Sequence, residues 1–395
     1  MTLKATTDNI AAMAASKLTG ALPALDASAL TGISVGPLSG VSDPTVSTNP
    51  TAVGIVYENT TNGQLFICTS ATAGSNVWLN VGSGDGQVAK PFGGLGGGTI
   101  DGFVAGGYSG GTDGFQVRQD ILKISLSSDG NSTAHGNLIQ KASSEKGTGF
   151  GGGFSSATHG YSAGGEYRQP TWASSAAIDR YAFSSNVTAT DQGDLTASVT
   201  YPSGHSTITH GYSTGGAPTG SPAINRMDRF PYASLSGSTS IGTMANTRQV
   251  VASCDSNTHG FDCGGQRAGT NNTNNIDKFA FSSSSSSVDC GDLINGGGSW
   301  FGSSSTTHGY VVAGNPLTNT VQKFHFNSNA NATDVGNLTT SINSAATLSS
   351  VTHTFVTGGS GVIDTIQKFA FASDGDSSNT GTLAGARQST MNSQY

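Results

Sequence analysis

From about residue 100 onward, short segments alternate apolar and polar positions around one basic residue, and each predicts a strand with a period of two. The copies are Ile121, Lys123, Ile124 and Leu126; Ile178, Arg180, Tyr181 and Phe183; Met227, Arg229, Phe230 and Tyr232; Ile276, Lys278, Phe279 and Phe281; Val321, Lys323, Phe324 and Phe326; and Ile366, Lys368, Phe369 and Phe371. A second pattern precedes each: Thr158-His159-Gly160-Tyr161 with Gly164-Gly165, returning at His210, His259, His308 and His353, with Asp101-Gly102-Phe103 as an earlier copy. A third follows, a Gly two positions before Leu138, Leu195, Met244, Leu293, Leu338 or Leu383.

The His residues are 51, 49, 49 and 45 apart, and the base stands 15 residues before the Leu or Met in all six copies. Only the interval between the Gly pair and the base shrinks along the chain, so one loop per repeat is free to vary. Each repeat predicts four short strands: a before the His-Gly turn, b into the Gly pair, c around the base, and d ending near the Leu or Met. Such units cannot bury two faces alone but can when stacked radially, which predicts an all-β fold, a six-bladed β-propeller. Ala384 to Tyr395 aligns with Thr196 to Thr207, the strand a region before His210. The C-terminal strand is therefore expected to complete the first blade and cover an open edge.

Composition narrows the function classes. With 57 Gly and 10% charged residues in 395, the chain departs from helical enzymes. A net charge of -7 with 17 Lys plus Arg supplies no basic stripe for nucleic acid or membranes. No apolar run is long enough to span a membrane and the N-terminus lacks a secretory pattern, so synthesis in a cytosol without export through the general pathway is expected. Cys68, Cys254, Cys263 and Cys290 form no CxxC pair and predict small buried thiols.

Asp8 to Leu18 has helical character, and Lys17 to Ile33 spaces single apolar residues among Gly, Pro and small residues, a ladder that makes sense only when identical chains share it. Gly54 to Thr69 carries Asn62-Gly63 between alternating runs, a hairpin signal, and Asn76-Val77-Trp78 opens a third strand. The expected organisation is an attachment and oligomerisation segment at 1–45, a small β-hairpin domain at 46–82, a Gly/Ser linker at 83–90 and the propeller at 91–395.

The repeats resemble kelch-like propeller repeats in their length and paired Gly, although a Leu or Met stands where kelch repeats usually carry Trp. The Lys17 to Ile33 run, together with Tyr57 to Phe66 and Asn76-Val77-Trp78, resembles tail-fibre and related virion proteins of bacteriophages, particularly marine ones. That resemblance implies a homo-oligomer, often a trimer, in the virion, attached to other virion proteins by its N-terminal part and meeting the host with its C-terminal part.

Five His at one turn position could ring a metal, but no carboxylate repeats beside them, so a structural role at the a–b turn is expected. The six bases are expected to pair with acids such as Asp191, Asp289 or Asp334, or to pack their stems on rings. Ser127-Ser128-Asp129-Gly130 only faintly resembles a sialidase Asp-box, and no phosphate loop or HExxH is present. No enzyme, cofactor or metal is expected. The variable b–c loops are the expected binding surface, and the two longest hold Tyr108, Phe115, Arg118, Tyr167, Arg168 and Trp172. The function expected is host adsorption through a surface ligand, a glycan by preference; the alternatives are a structural or capsid-decorating fibre without a receptor role, and a glycan-cleaving enzyme.

Overall fold

The computed structural model describes residues 38–61, 64–82, 100–110, 116–139, 147–169, 171–267 and 272–394. Two compact units divide the chain, Met1–Val88 and Ala89–Tyr395. In the first, Val56–Asn59, Leu65–Ser70 and Val77–Gly82 form the expected antiparallel meander. Leu38–Gly40, ahead of the expected boundary at residue 46, adds a parallel strand beside Val56–Asn59. Alternation puts Tyr57, Phe66 and Cys68 on the buried face, where Trp78 packs 5.7 Å from Tyr57. The ladder at Lys17 to Ile33, the helical stretch before it and the linker lie outside the described residues.

The second unit is all-β among its described residues, with six sheets of strand order a-b-c-d, the second of them carrying a fifth strand, and a two-stranded sheet of Tyr108–Ser109 with Gln116–Val117. The third sheet sets the pattern: Ser203–Ser206, His210–Thr214, Arg226–Pro231 and Thr239–Thr243, each antiparallel to the next. The first sheet differs in its source of strand a. Met391–Gln394, at the C-terminus, pairs antiparallel with Asp101–Ala105, which pairs in turn with Asp120–Ser125. The strand a segments touch one another in the series 152–155, 203–206, 252–255, 301–304, 346–349 and 391–394, and 391–394 touches 152–155 again.

Side chains explain each junction. An aromatic residue of strand b packs against the aromatic residue just past strand c in the next sheet: Phe103 on Phe183, Tyr161 on Tyr232, Tyr212 on Phe281, Phe261 on Phe326 and Tyr310 on Phe371, with ring centroids 4.6–4.9 Å apart. Phe355 of the sixth sheet shares a buried cluster with Leu126 of the first. Each such pair adds about 0.5–1.5 kcal/mol beyond the burial of its area. At the end of strand a, a backbone N–H donates to the side chain at the same position one sheet on: Ser155 to Ser206, Ser206 to Asp255, Asp255 to Ser304, Ser304 to Ser349, Ser349 to Gln394, and Gln394 to Ser155. These distances run from 2.7 to 3.2 Å.

The residue before the base forms a further staple. Asp179, Asp228, Gln322 and Gln367 each accept the N–H that follows the strand d Leu of the previous sheet. Asp277 is instead occupied by the buried Arg248, 2.5 Å away, and Leu122 has no acceptor, so Ser287 and Ser132 accept at those two junctions. The Gly before each Leu or Met follows a bulge, and its bare Cα lets the next sheet's c–d loop pass. A Cβ on Gly291 would stand 2.7 Å from the Ala330 carbonyl oxygen.

The bases do not use the acids expected of them. Asp191, Asp289 and Asp334 cap the backbone of their own strands at Gly193, Gly291 and Gly336. The partners come instead from the c–d loop of the following sheet, six positions beyond that sheet's base: Asn329 for Lys278, Asp374 for Lys323 and Asp129 for Lys368. Lys123 pairs within its sheet, with Asp101. Sequence proximity misled here because antiparallel neighbours in one sheet point these acids and bases to different junctions. The ammonium groups of Lys323 and Lys368 also lie over the Tyr310 and Phe355 rings, 5.8 and 6.0 Å from the centroids, so the charged head meets an aromatic face.

Candidate aromatic binding site

In each sheet the c–d turn lies at one end of the strands, together with the a–b turn wherever strands a and b are consecutive, and the b–c connection lies at the other. At the b–c end of the second sheet the expected loop is itself a hairpin, Glu166–Gln169 against the extended start of Thr171–Ala182. Its short strands alternate sides, which places Arg168 opposite Trp172, with the guanidinium 6.0 Å from the indole. Trp172 is 37% exposed. Beneath it lies Tyr108, 5.5 Å away by ring centroid and buried; Phe150 follows at 4.9 Å from Tyr108, and Tyr201 at 4.4 Å from Phe150.

Four aromatic residues from four different connections thus form an arc. Tyr108 donates its hydroxyl to Glu166 Oε1 at 2.9 Å. Burial raises the Glu166 carboxyl above its ordinary value, against the opposing pull of that hydrogen bond. The Tyr201 hydroxyl is pushed up to about 12, by burial first and the nearby Glu166 charge second. Backbone pairing of Gly149 with Glu166, and of Tyr108 with Gln388, holds the arc to the strands.

The arc ends at the residues that lead into the strand a segments. Phe150, Tyr201, Val250, Ser299, Ser344 and Ser389 each precede a strand a by two residues, and all have φ between 52° and 60°. The left-handed conformation costs non-glycine residues energy, most for a β-branched Val250, so it persists only where the surroundings impose it. These six residues rim a cavity of about 70 Å³, above a second of about 90 Å³ lined by strand a.

The structure brings together Tyr108, Arg168 and Trp172. Tyr167 is half-buried at the neighbouring hairpin position, and Arg118 stands apart, 2.8 Å from Asp120, which Arg387 also contacts at 2.7 Å. Arg118 lines a separate cleft with Gly361 and Val362. Phe115 lies outside the described residues. Tyr108 was expected to be an exposed contact ring; it is instead the buried floor of the arc, because its Gly-Gly turn directs it inward over Gly149. Phe150, Tyr201 and Glu166 were not anticipated. A fixed interval of nine residues before each repeated His marks Phe150 and Tyr201, but spacing does not reveal their left-handed backbone.

His159, His210, His259, His308 and His353 occupy the opposite end. Each Nδ1 lies 2.8 Å from the hydroxyl of the preceding Thr. The backbone of the turn is satisfied by another hydroxyl, as Ser156 accepts from His159 N, so the imidazole itself does not serve the main chain as expected. Burial first, and the strand c base second, lower the imidazole pKa values. Among the described residues no group of three His, Cys, Asp or Glu is placed to hold a metal. No protein-family model matches the chain, and no curated protein matches it significantly.

Proposed function

We propose that the 91–395 unit is a six-bladed kelch-like β-propeller in a bacteriophage virion protein, a tail fibre or other external appendage, and that its b–c face binds a host-surface glycan during adsorption. The propeller reading is supported by the six a-b-c-d sheets, by the strand a series that returns to its start, and by the six hydrogen bonds that pass through Gln394 back to Ser155. The virion reading rests on the fibre-like N-terminal sequence, with a trimer and attachment to other virion proteins as its corollaries.

The observation that carries the binding reading is the arc from Trp172 through Tyr108 and Phe150 to Tyr201. Aromatic faces stack on the C–H faces of sugar rings, Glu166 and Arg168 offer polar partners at the edge, and the pinned backbone limits the ordering cost. Several copies on one particle would compensate for weak single sites.

Purified full-length protein should compete with phage for host cells. Trp172→Ala and Tyr201→Ala should each weaken that competition about tenfold or more, the effect of losing a contact worth ~1.5 kcal/mol or above. Unchanged competition by two folded variants would refute the binding face. Elevation of the Glu166 carboxyl also fits a general acid, so host polysaccharide should be incubated with the protein. Binding without cleavage predicts no shorter products.

A further inference from the structure

At the end of the strands opposite the aromatic arc, three of the strand c bases reach the c–d loop of the next sheet. Lys323 and Lys368 meet carboxylates there, Asp374 and Asp129, and Lys278 meets Asn329. The position six residues beyond the base is Ser284 in the fourth sheet, so Arg229 of the third sheet has only a run of serines, Ser282 to Ser287, before it. Among the described residues no carboxylate pairs with Arg229, which lines one cleft together with Tyr212. In place of the ion pair is a cleft of about 360 Å³, lined by Thr209, His210, Tyr212, Arg229, Thr258 and Ser282. Its size is in the range of small-ligand sites.

We propose that this cleft binds the anionic substituent, carboxylate or sulfate, of an acidic saccharide, with Arg229 as its counter-ion. The molecule contains its own comparison: the same backbone position is filled by an internal carboxylate in two other junctions and left to hydroxyls here. Arginine offers a planar fork that grips a carboxylate or sulfate through two parallel hydrogen bonds. The hydroxyls of Thr209, Thr258 and Ser282 can bond sugar hydroxyls, and Tyr212 supplies an aromatic wall. Arg180 occupies the equivalent position one sheet earlier, and the residue six positions beyond the next sheet's base is there Leu235, whose side chain offers no hydrogen bond.

The site does not depend on the glycan reading of the aromatic arc. The experiment uses the full chain, glucuronate as probe, methyl glucoside as its neutral counterpart, inorganic sulfate as the bare anion, and the imidazole resonances of His210 as readout. Glucuronate should shift them saturably and methyl glucoside should not. Arg229→Gln should weaken glucuronate at least about tenfold, as expected for a lost charge-assisted bond. Ser284→Asp should do the same by installing the carboxylate that other junctions have, and Trp172→Ala should leave the response unchanged. An equal response to methyl glucoside, undiminished binding by folded Arg229→Gln, or no response to glucuronate would overturn the proposal. Saturation by sulfate at least as tight as by glucuronate would overturn its saccharide part.

Discussion

His205 stands in strand a of the third sheet, fully buried, with Nδ1 2.5 Å from Asp255 and Nε2 3.1 Å from Asp262. Thr214 donates a further hydrogen bond to Asp262 at 2.7 Å. Burial alone would lower the imidazole pKa, but the two carboxylates override it and carry it to about 10. The protonated ring therefore joins the third and fourth sheets at neutral pH. Because the folded value lies above the unfolded value of about 6.5, its stabilisation is complete below pH ~6.5 and is lost as pH rises through 10. The thermal midpoint should accordingly fall across that interval. His205→Phe, which copies Phe154 of the second sheet, should abolish that slope and cost about 3–5 kcal/mol, because two buried carboxylates lose their counter-charge. Denaturant titrations of both proteins at pH 6 and pH 9.5 measure this; an unchanged pH slope in the variant would show that His205 is not the titrating group.

The element whose removal matters most is the last strand. Met391–Gln394 buries Met391, bonds Ser393 to Tyr181 at 2.7 Å, and supplies Gln394 both as acceptor from Ser349 and as donor to Ser155. Gln394→Ala removes one buried acceptor and should cost about 1–3 kcal/mol, the penalty for leaving the Ser349 N–H unsatisfied. Deleting 391–395 removes every one of these contacts and exposes the edge of Asp101–Ala105. It should yield a chain that aggregates or unfolds at a midpoint well below that of Gln394→Ala, measured by scanning fluorimetry and light scattering; equal midpoints would mean the strand adds only its side-chain bond. This pairing was legible in sequence, since Ala384 to Tyr395 repeats a strand a pattern and strands need partners. The bonds at the strand ends were not. Ser155, Ser206 and Ser304 are ordinary small polar residues in a chain full of them, and only the register of neighbouring sheets gives them a common role. The Arg229 cleft was hidden for the same reason: it arises from what the next sheet places opposite the base, and a one-dimensional reading had offered Asp191, Asp289 and Asp334 as partners.

At the scale of the molecule, the six junctions repeat one another while their chemistry is distributed unevenly. Ring contacts and strand-end bonds recur at all or nearly all of them; buried charge gathers around His205, Arg248 and Arg387; polar clefts open beside Arg229 and Arg118. A linear array of such sheets would fray from its ends, because terminal repeats have one neighbour each. On the ring reading proposed above there are no terminal repeats, since Phe355 packs with Leu126 and Lys368 reaches Asp129 across the join between the sixth and first sheets. The strand b amides of all six sheets should therefore exchange with solvent only through one shared opening, with protection free energies agreeing to within about 1 kcal/mol, whereas a linear stack would show protection rising toward the third and fourth sheets. Hydrogen exchange followed by mass spectrometry resolves the two. Opening the ring chemically, by Lys368→Gln with Asp129→Asn, should leave uniform protection intact, because a partly exposed ion pair contributes less than about 1 kcal/mol while the apolar contact of Phe355 with Leu126 persists. Replacing Leu126 with Asp should instead place a charge in that contact and lower protection first in the sixth and first sheets, since the junction it breaks is the one that distinguishes a ring from a row.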